Sequence, residues 1–263
     1  MNAALSILAA LAVSAIVFSL LWVVQKRTGD AGIVDVAWSL GVGISGAFFC
    51  WQASGDVLRR WVVAILVLVW GIRLSLHVFG RIQKMPEDGR YTEMKKQWGE
   101  QADWRMFRFY MFQAFAAVLF AIPMLIAATN SSPLGLLDYL GIAIWVFALT
   151  GESIADMQLN RFRYQPENKG KVCRDGLWKY SRHPNYFFEW LHWWSYVLLA
   201  ITGAWGWLAI FAPLSMLFFI LKVTGIPPTE KQAIKSRGEA YREYQRTTSP
   251  FFPWFPKTTG RTA

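Results

Sequence analysis

Seven apolar runs, near 3–24, 32–52, 61–80, 109–128, 134–155, 186–203 and 205–224, constrain this chain more than any motif does. Each is close to the roughly 20 residues that carry an α-helix across the hydrocarbon core of a bilayer. Backbone groups in that medium must satisfy one another, so helices are the expected elements. The expected fold is an all-α integral membrane protein, a bundle of about seven transmembrane helices. Composition agrees, because a 54% hydrophobic chain with 15 Trp and 19 Phe is far from an ordinary soluble domain. No polar linker is long enough to separate two domains, so 1–263 reads as one membrane domain.

Charge orients the bundle. Lys26 and Arg27, the segments 81–108 and 156–183, and the C-terminal tail hold most of the basic residues, while the loops near 129–133 and 202–206 hold no charged side chain. The positive-inside rule then places the N-terminus outside and the C-terminus in the cytoplasm. No Lys or Arg precedes the first run, which therefore reads as a helix and not a secretory signal. Arg59 and Arg60 fall on the outer side, where they are expected to snorkel from a helix end. The net charge of +10 is spread between apolar runs, which argues against a nucleic-acid face and for membrane lipids and an anionic ligand. Cys50 and Cys173 read as free thiols, and the segment 229–244 as a short helical tail broken at Gly238.

Ionisable residues inside membrane runs are costly, so they are read first as a site. Asp35 lies in the second run, and Arg73, His77 and Arg81 recur every four residues along the third. Glu152, Asp156, Asn160 and Arg163 share one helix face by their spacing. After a polar turn comes Gly176-Leu177-Trp178-Lys179-Tyr180-Ser181-Arg182-His183-Pro184-Asn185-Tyr186, then Glu189 and His192 one turn apart. Structural readings stand beside these: Asp35 and Arg73 neutralising one another, His77 and His192 as satisfied packing histidines, and Glu87-Asp88-Gly89-Arg90-Tyr91 as a turn before a helix. The tryptophans read as an interfacial belt, with Trp193 as a ligand contact. No dinucleotide fingerprint, Walker sequence or nucleophile elbow is present, and three dispersed histidines form no metal cluster. A nucleotide would therefore be held by the bundle and its basic cytoplasmic loops, where arginine and lysine suit phosphate.

Gly176-Leu177-Trp178 with Tyr180, Arg182-His183-Pro184-Asn185-Tyr186 and Glu189 resembles the signature of the membrane superfamily of steroid 5-alpha-reductases, sterol reductases and isoprenylcysteine carboxyl methyltransferases. Thr229-Glu230 followed by Gly238, Tyr241 and Tyr244 resembles the C-terminal element of that superfamily. Within it the chain is most similar to bacterial proteins grouped with the C-terminal domain of 3-oxo-5-alpha-steroid 4-dehydrogenases, which implies a bacterial inner membrane. The resemblance implies a cofactor-binding half at 129–263 and a substrate side at 1–128. It implies NADPH as cofactor, with Glu152, Asp156, Asn160, Arg163, Lys179, Tyr180, Arg182, His183, Asn185, Glu189, Trp193, Glu230 and Tyr241 around it. The sequence departs from the animal steroid reductases where their second helix carries a Gln-Glu pair, since Gly41 and Val42 stand there, and Trp70 stands near the place of their catalytic tyrosine.

The activity this implies is an NADPH-dependent membrane reductase acting on the carbon–carbon double bond of a lipophilic enone, sterol-like in character and drawn from the bilayer. Such chemistry needs a group that polarises the carbonyl and supplies a proton. Asp35 is the first candidate, with Arg73 and His77 as alternatives. One rival is an S-adenosylmethionine-dependent methyltransferase, whose paired acidic motif is here Glu230-Lys231; another is a non-enzymatic lipid-binding protein. No obligate protein partner is expected.

Overall fold

The computed structural model describes residues 2–257. Among them every regular element is helical: α1 (Ala3–Thr28), α2 (Ile33–Gln52), α3 (Val57–Lys84), α4 (Gly89–Trp98), α5 (Ala102–Ala128), α6 (Leu136–Arg163), α7 (Pro184–Ala200), α8 (Phe211–Phe218), α9 (Ile226–Arg237) and α10 (Glu239–Thr247). Local chemistry sets several ends. Asn2 caps α1 by accepting from Leu5 N at 2.8 Å, Asp56 caps α3 through Arg59 N at 2.9 Å, and Asp88 caps α4 through Arg90 N at 3.0 Å. Gly29, at φ 78°, ends α1, and Gly238, at φ 56°, parts α9 from α10.

Among the described residues six helical runs are long and apolar enough to cross a membrane: α1, α2, α3, Gly89–Ala128, α6 and Gly206–Arg237. The expected run at 186–203 is the 17-residue α7, about 25 Å long at 1.5 Å per residue. The expected run at 205–224 is broken into a 3₁₀ turn at Gly206–Ile210, α8, and a π turn at Phe219–Val223. Pro227 and Pro228 then sit in the first turn of α9, where a missing N–H costs little, so the chain restarts there as a new helix.

The chain forms two compact units. The first runs to Tyr139 and takes in Tyr196–Ile210; the second comprises Leu140–Ser195 and the chain from Phe211 onward. Helices α6 and α7 each belong partly to both.

In the first unit α2 packs on α3 and α5, and α1 on α5. Small residues let α2 and α3 approach closely: a Cβ at Gly71 would come within 2.8 Å of the Ser39 carbonyl oxygen, and the hydroxyls of Ser39 and Ser75 meet at 2.6 Å. Phe18, Val34, Tyr91, Met106 and Tyr110 form one apolar cluster of this unit, and Phe49 with Val118 and Leu125 another.

Arg59 does not snorkel. Its side chain is fully buried and makes a bidentate pair with Asp138, with Nη2 to Oδ2 at 2.8 Å. Its remaining donors reach the carbonyls of Leu199, Ser132 and Pro133. A carboxylate from the start of α6 made burial the better solution for this charge. Arg60 instead bonds the carbonyls of Cys50 and Trp51 at the end of α2.

In the second unit, the Gly151 hydrogen faces the ring of Phe188, where a Cβ would not fit, so α6 and α7 lie close at that level. Trp190 Nε1 donates to Pro213 O at 3.1 Å and ties α7 to α8. Tyr241 and Tyr244 of α10 bury against Ala233 of α9 and Val172. Cys50 and Cys173 are both free and buried.

Candidate functional site

The loop before α7 is built in the second unit from residues far apart in sequence. Gly176 adopts φ +58°, and the Gln158 side chain occupies the space a Cβ would need. Gln158 Oε1 accepts from Leu177 N at 2.9 Å, and Trp178 Nε1 donates to Ala155 O at 2.9 Å, so the loop is fastened along α6. From the other side Tyr244 donates to the carbonyls of Trp178 and Ser181. Burial pushes the Tyr244 phenol up, and it stays a donor. Burial likewise raises the Cys173 thiol nearby, which keeps it unreactive.

Arg182, His183 and Glu230 form the centre of this construction. Glu230 Oε1 accepts from Arg182 Nε at 2.7 Å, faces His183 Nε2 at 3.2 Å and receives the Tyr241 hydroxyl at 3.4 Å, while Oε2 accepts from Gln245 Nε2 at 2.7 Å. Arg182 Nη1 donates to the carbonyls of Gln245 and Thr248 at 3.0 and 2.6 Å. The His183 ring stacks on Tyr186, with centroids 5.2 Å apart and planes 6° from parallel. These contacts join the loop to α9 and α10.

Burial lowers the His183 pKa from the ordinary imidazole value of 6.5, outweighing the neighbouring Glu230 carboxylate, with Arg182 adding to the depression. The native ring is thus neutral near pH 7, and the unfolded chain binds a proton there more readily than the folded one. The folded state accordingly loses stability as pH falls below about 6.5, and keeps it above. Melting of the purified protein is expected to drop between pH 7 and pH 5, with a shallower drop in His183→Gln. Equal slopes for the two would remove His183 from the cause.

A second polar group lines α6 and α7. Glu152 and Asp156 are 3% and 4% exposed, one helical turn apart. Asn185 Nδ2 donates to Asp156 Oδ1 at 3.2 Å, and Trp193 Nε1 to Glu189 Oε1 at 3.0 Å. His192, fully buried, places Nδ1 2.7 Å from Glu189 O and 3.7 Å from its Oε2. Of the four residues whose spacing puts them on one face of α6, Glu152 and Asp156 are buried. Asn160 is half-buried, while Arg163 and Lys179 are exposed at the edge. Lys179 Nζ lies 5.9 Å from the Tyr180 ring, and Tyr180 O accepts from Trp254 N at 2.9 Å.

The remaining expected residues lie in the first unit. Asp35 accepts from the Tyr91 hydroxyl at 2.6 Å and from Arg90 Nη2 at 3.3 Å. Arg90 also grips Asp88 through Nε at 3.0 Å and Nη2 at 3.1 Å, and Arg81 reaches the same carboxylate at 3.3 Å. Burial pushes the Asp88 carboxyl up, but Arg90 and Arg81 outweigh it and hold its pKa at about 2. Glu87 accepts from Ala31 N at 2.8 Å and Lys95 Nζ at 2.6 Å. The 87–91 motif is thus a turn and helix start that also supplies the partners of Asp35. Arg73 and His77 are half-buried on α3. Sequence reasoning missed Tyr91 and Arg90 as partners of Asp35, and Gln158, Ser181 and Gln245 as supports of the loop; neither periodicity nor charge distinguishes them.

An all-helical chain with six runs able to cross a bilayer is an integral membrane protein. A family described as a protein of unknown function, DUF1295, matches residues 21–248, and the chain belongs to that family. It is also similar to an uncharacterised protein of Schizosaccharomyces pombe, 27% identical over 274 aligned residues that cover 92% of this chain and 78% of that one. No solved structure matches the chain.

Proposed function

We propose that this protein is an NADPH-dependent membrane reductase of the steroid 5-alpha-reductase-like kind, acting on the carbon–carbon double bond of a lipophilic enone. The observation that carries the reading is the polar face of α6 and α7, where buried Glu152 and Asp156 on α6 meet half-buried Asn185 and Glu189 on α7, with the exposed cations Arg163 at the end of α6 and Lys179 in the loop before α7. Buried carboxylates and an amide suit the hydroxyl and amide groups of a nucleotide, and the exposed cations suit its phosphates. The donor set therefore fits the cofactor. Bound NADPH supplies a hydride. Asp156 and Asn185 orient one end of the ligand, Arg163 and Lys179 neutralise its phosphates, and Arg182 with Glu230 keeps the loop between them in place. Asp35, which accepts from the Tyr91 hydroxyl, is the proposed acid of the first unit, with Arg73 or His77 as the alternatives for that role. The seven-span topology, with the N-terminus outside, the C-terminus in the cytoplasm and a bacterial inner membrane as location, belongs to the same proposal.

The test is thermal stabilisation of the detergent-purified chain by NADPH, NADH, S-adenosylmethionine and S-adenosylhomocysteine. At a hundredfold excess over Kd, a ligand of the native state adds about 2.7 kcal/mol. Stabilisation by NADPH that disappears in Asp156→Ala and Arg163→Ala is expected. Stabilisation by S-adenosylmethionine instead would replace the reductase with a methyltransferase, and none from any of the four would favour a lipid carrier.

A further inference from the structure

From Ser249 to Lys257 the chain carries no helix, yet its backbone is pinned along the second unit. Ser249 O accepts from Arg182 N at 2.8 Å, Phe251 O from Ser181 Oγ at 2.8 Å, Trp254 N donates to Tyr180 O at 2.9 Å, and Lys257 N to Thr247 O at 2.8 Å. Phe251 turns inward, 2% exposed, with its ring 5.9 Å from Phe187 and 5.7 Å from Trp190 in the first two turns of α7. Phe252, Trp254 and Phe255 turn outward and are 54%, 72% and 76% exposed. The Phe252 ring meets Phe187, Trp190 and Phe251 edge-on and the Phe255 ring meets Tyr180 at 6.0 Å, yet each leaves more than half of its surface outside, and Trp254 leaves still more than Phe252.

The surroundings specify what covers them. Lys179 and Lys257 are exposed on the segments that the strap is bonded to or part of, and Arg246 nearby is exposed but paired with Glu239. Tryptophan and phenylalanine beside cations are the residues that settle at the boundary between headgroups and acyl chains, the cations meeting anionic lipid. The strap also rests on the first two turns of α7, a predominantly apolar helix.

We propose that residues 250–257 are an interfacial anchor, in which Phe252, Trp254 and Phe255 insert into the headgroup boundary of an anionic phospholipid leaflet and hold the Arg182–His183 loop at the membrane surface. The proposal is independent of the catalytic reading, since it concerns lipid contact alone.

It is tested by Trp254→Cys carrying an environment-sensitive fluorophore, in the full chain reconstituted into phosphatidylglycerol-containing vesicles. Cys50 and Cys173 are buried, and mock-labelled native protein gives the background. Expected are a blue-shifted emission and a loss of intensity greater with lipids brominated near the headgroup than near the chain end. Lys179→Gln with Lys257→Gln should reduce that loss, as should replacing phosphatidylglycerol by phosphatidylcholine. Water-like, unquenched emission overturns the proposal, as does stronger quenching by the deep bromines. Shielding in native membranes but not in pure lipid vesicles also overturns it and points to a protein cover.

Discussion

Asp138→Ala destabilises this protein by about 3–5 kcal/mol, the range for removing one partner of a buried ion pair. The reason is what it leaves behind. Arg59 is fully buried, and without the carboxylate its charge keeps only the carbonyls of Leu199, Ser132 and Pro133. Asp138 also accepts from Gly135 N at 2.7 Å, so the start of α6 loses a support as well. Asp138→Asn should cost less, because an amide keeps an acceptor for Arg59 and for Gly135. The double replacement Arg59→Met with Asp138→Leu should recover much of the loss, since it removes the uncompensated charge together with the pair. Thermal or denaturant unfolding in detergent reads these differences. If Asp138→Ala melted like the native chain, the buried pair would not exist in solution.

This pair also shows where sequence reasoning stops. Arg59 and Asp138 lie 79 positions apart; Arg59 alone looks like a mild exception to the charge asymmetry of the loops, and Asp138 alone carries no signal. Only packing tells a snorkelling arginine from a buried one. The helices themselves were legible, because an apolar run near bilayer length is a strong signal that needs no partner. The expected boundaries of α2 match closely, and α1, α3, α5 and α6 extend several residues further into polar sequence, where capping and charge at helix ends decide. The run at 205–224 lies within Gly206–Arg237, which is long and apolar enough to cross, but hydropathy does not register that its backbone is interrupted by a 3₁₀ turn and a π turn; the run at 186–203 is the 17-residue α7, which is not among the six.

The candidate site divides the same way. Glu152 and Asp156 share a buried face because four residues is about one helical turn, and that face could be read directly. Glu189 and His192 follow from the same periodicity. Asp35 was visible as an oddity, but its partners Tyr91 and Arg90 lie 56 and 55 residues away in a turn that reads as ordinary. Gly176 was visible as part of a motif, whereas its purpose, a positive φ with Gln158 packed against it, was not.

Glu230→Ala is expected to cost about 3 kcal/mol, the lower part of the range for breaking a buried pair, because its side chain keeps 13% exposure. The effect should also be local and legible. Glu230 is the common acceptor for Arg182, His183, Gln245 and Tyr241, so its loss frees the loop, α9 and α10 from one another at a single stroke. Amide hydrogen exchange should accelerate together in 176–183 and 239–249, while α1 to α3 keep their protection. Glu230→Gln should retain part of it, as an amide oxygen still accepts from Arg182. Glu239 supplies the control: it pairs with Arg246 at 2.9 Å with both side chains largely exposed, and Glu239→Gln should move stability by no more than about 0.5 kcal/mol. Unchanged exchange in Glu230→Ala would mean that Tyr244 and the carbonyl contacts of Arg182 suffice to hold the loop. In that case Glu230 would stand free of a structural duty, and a direct contact with ligand would become its better assignment.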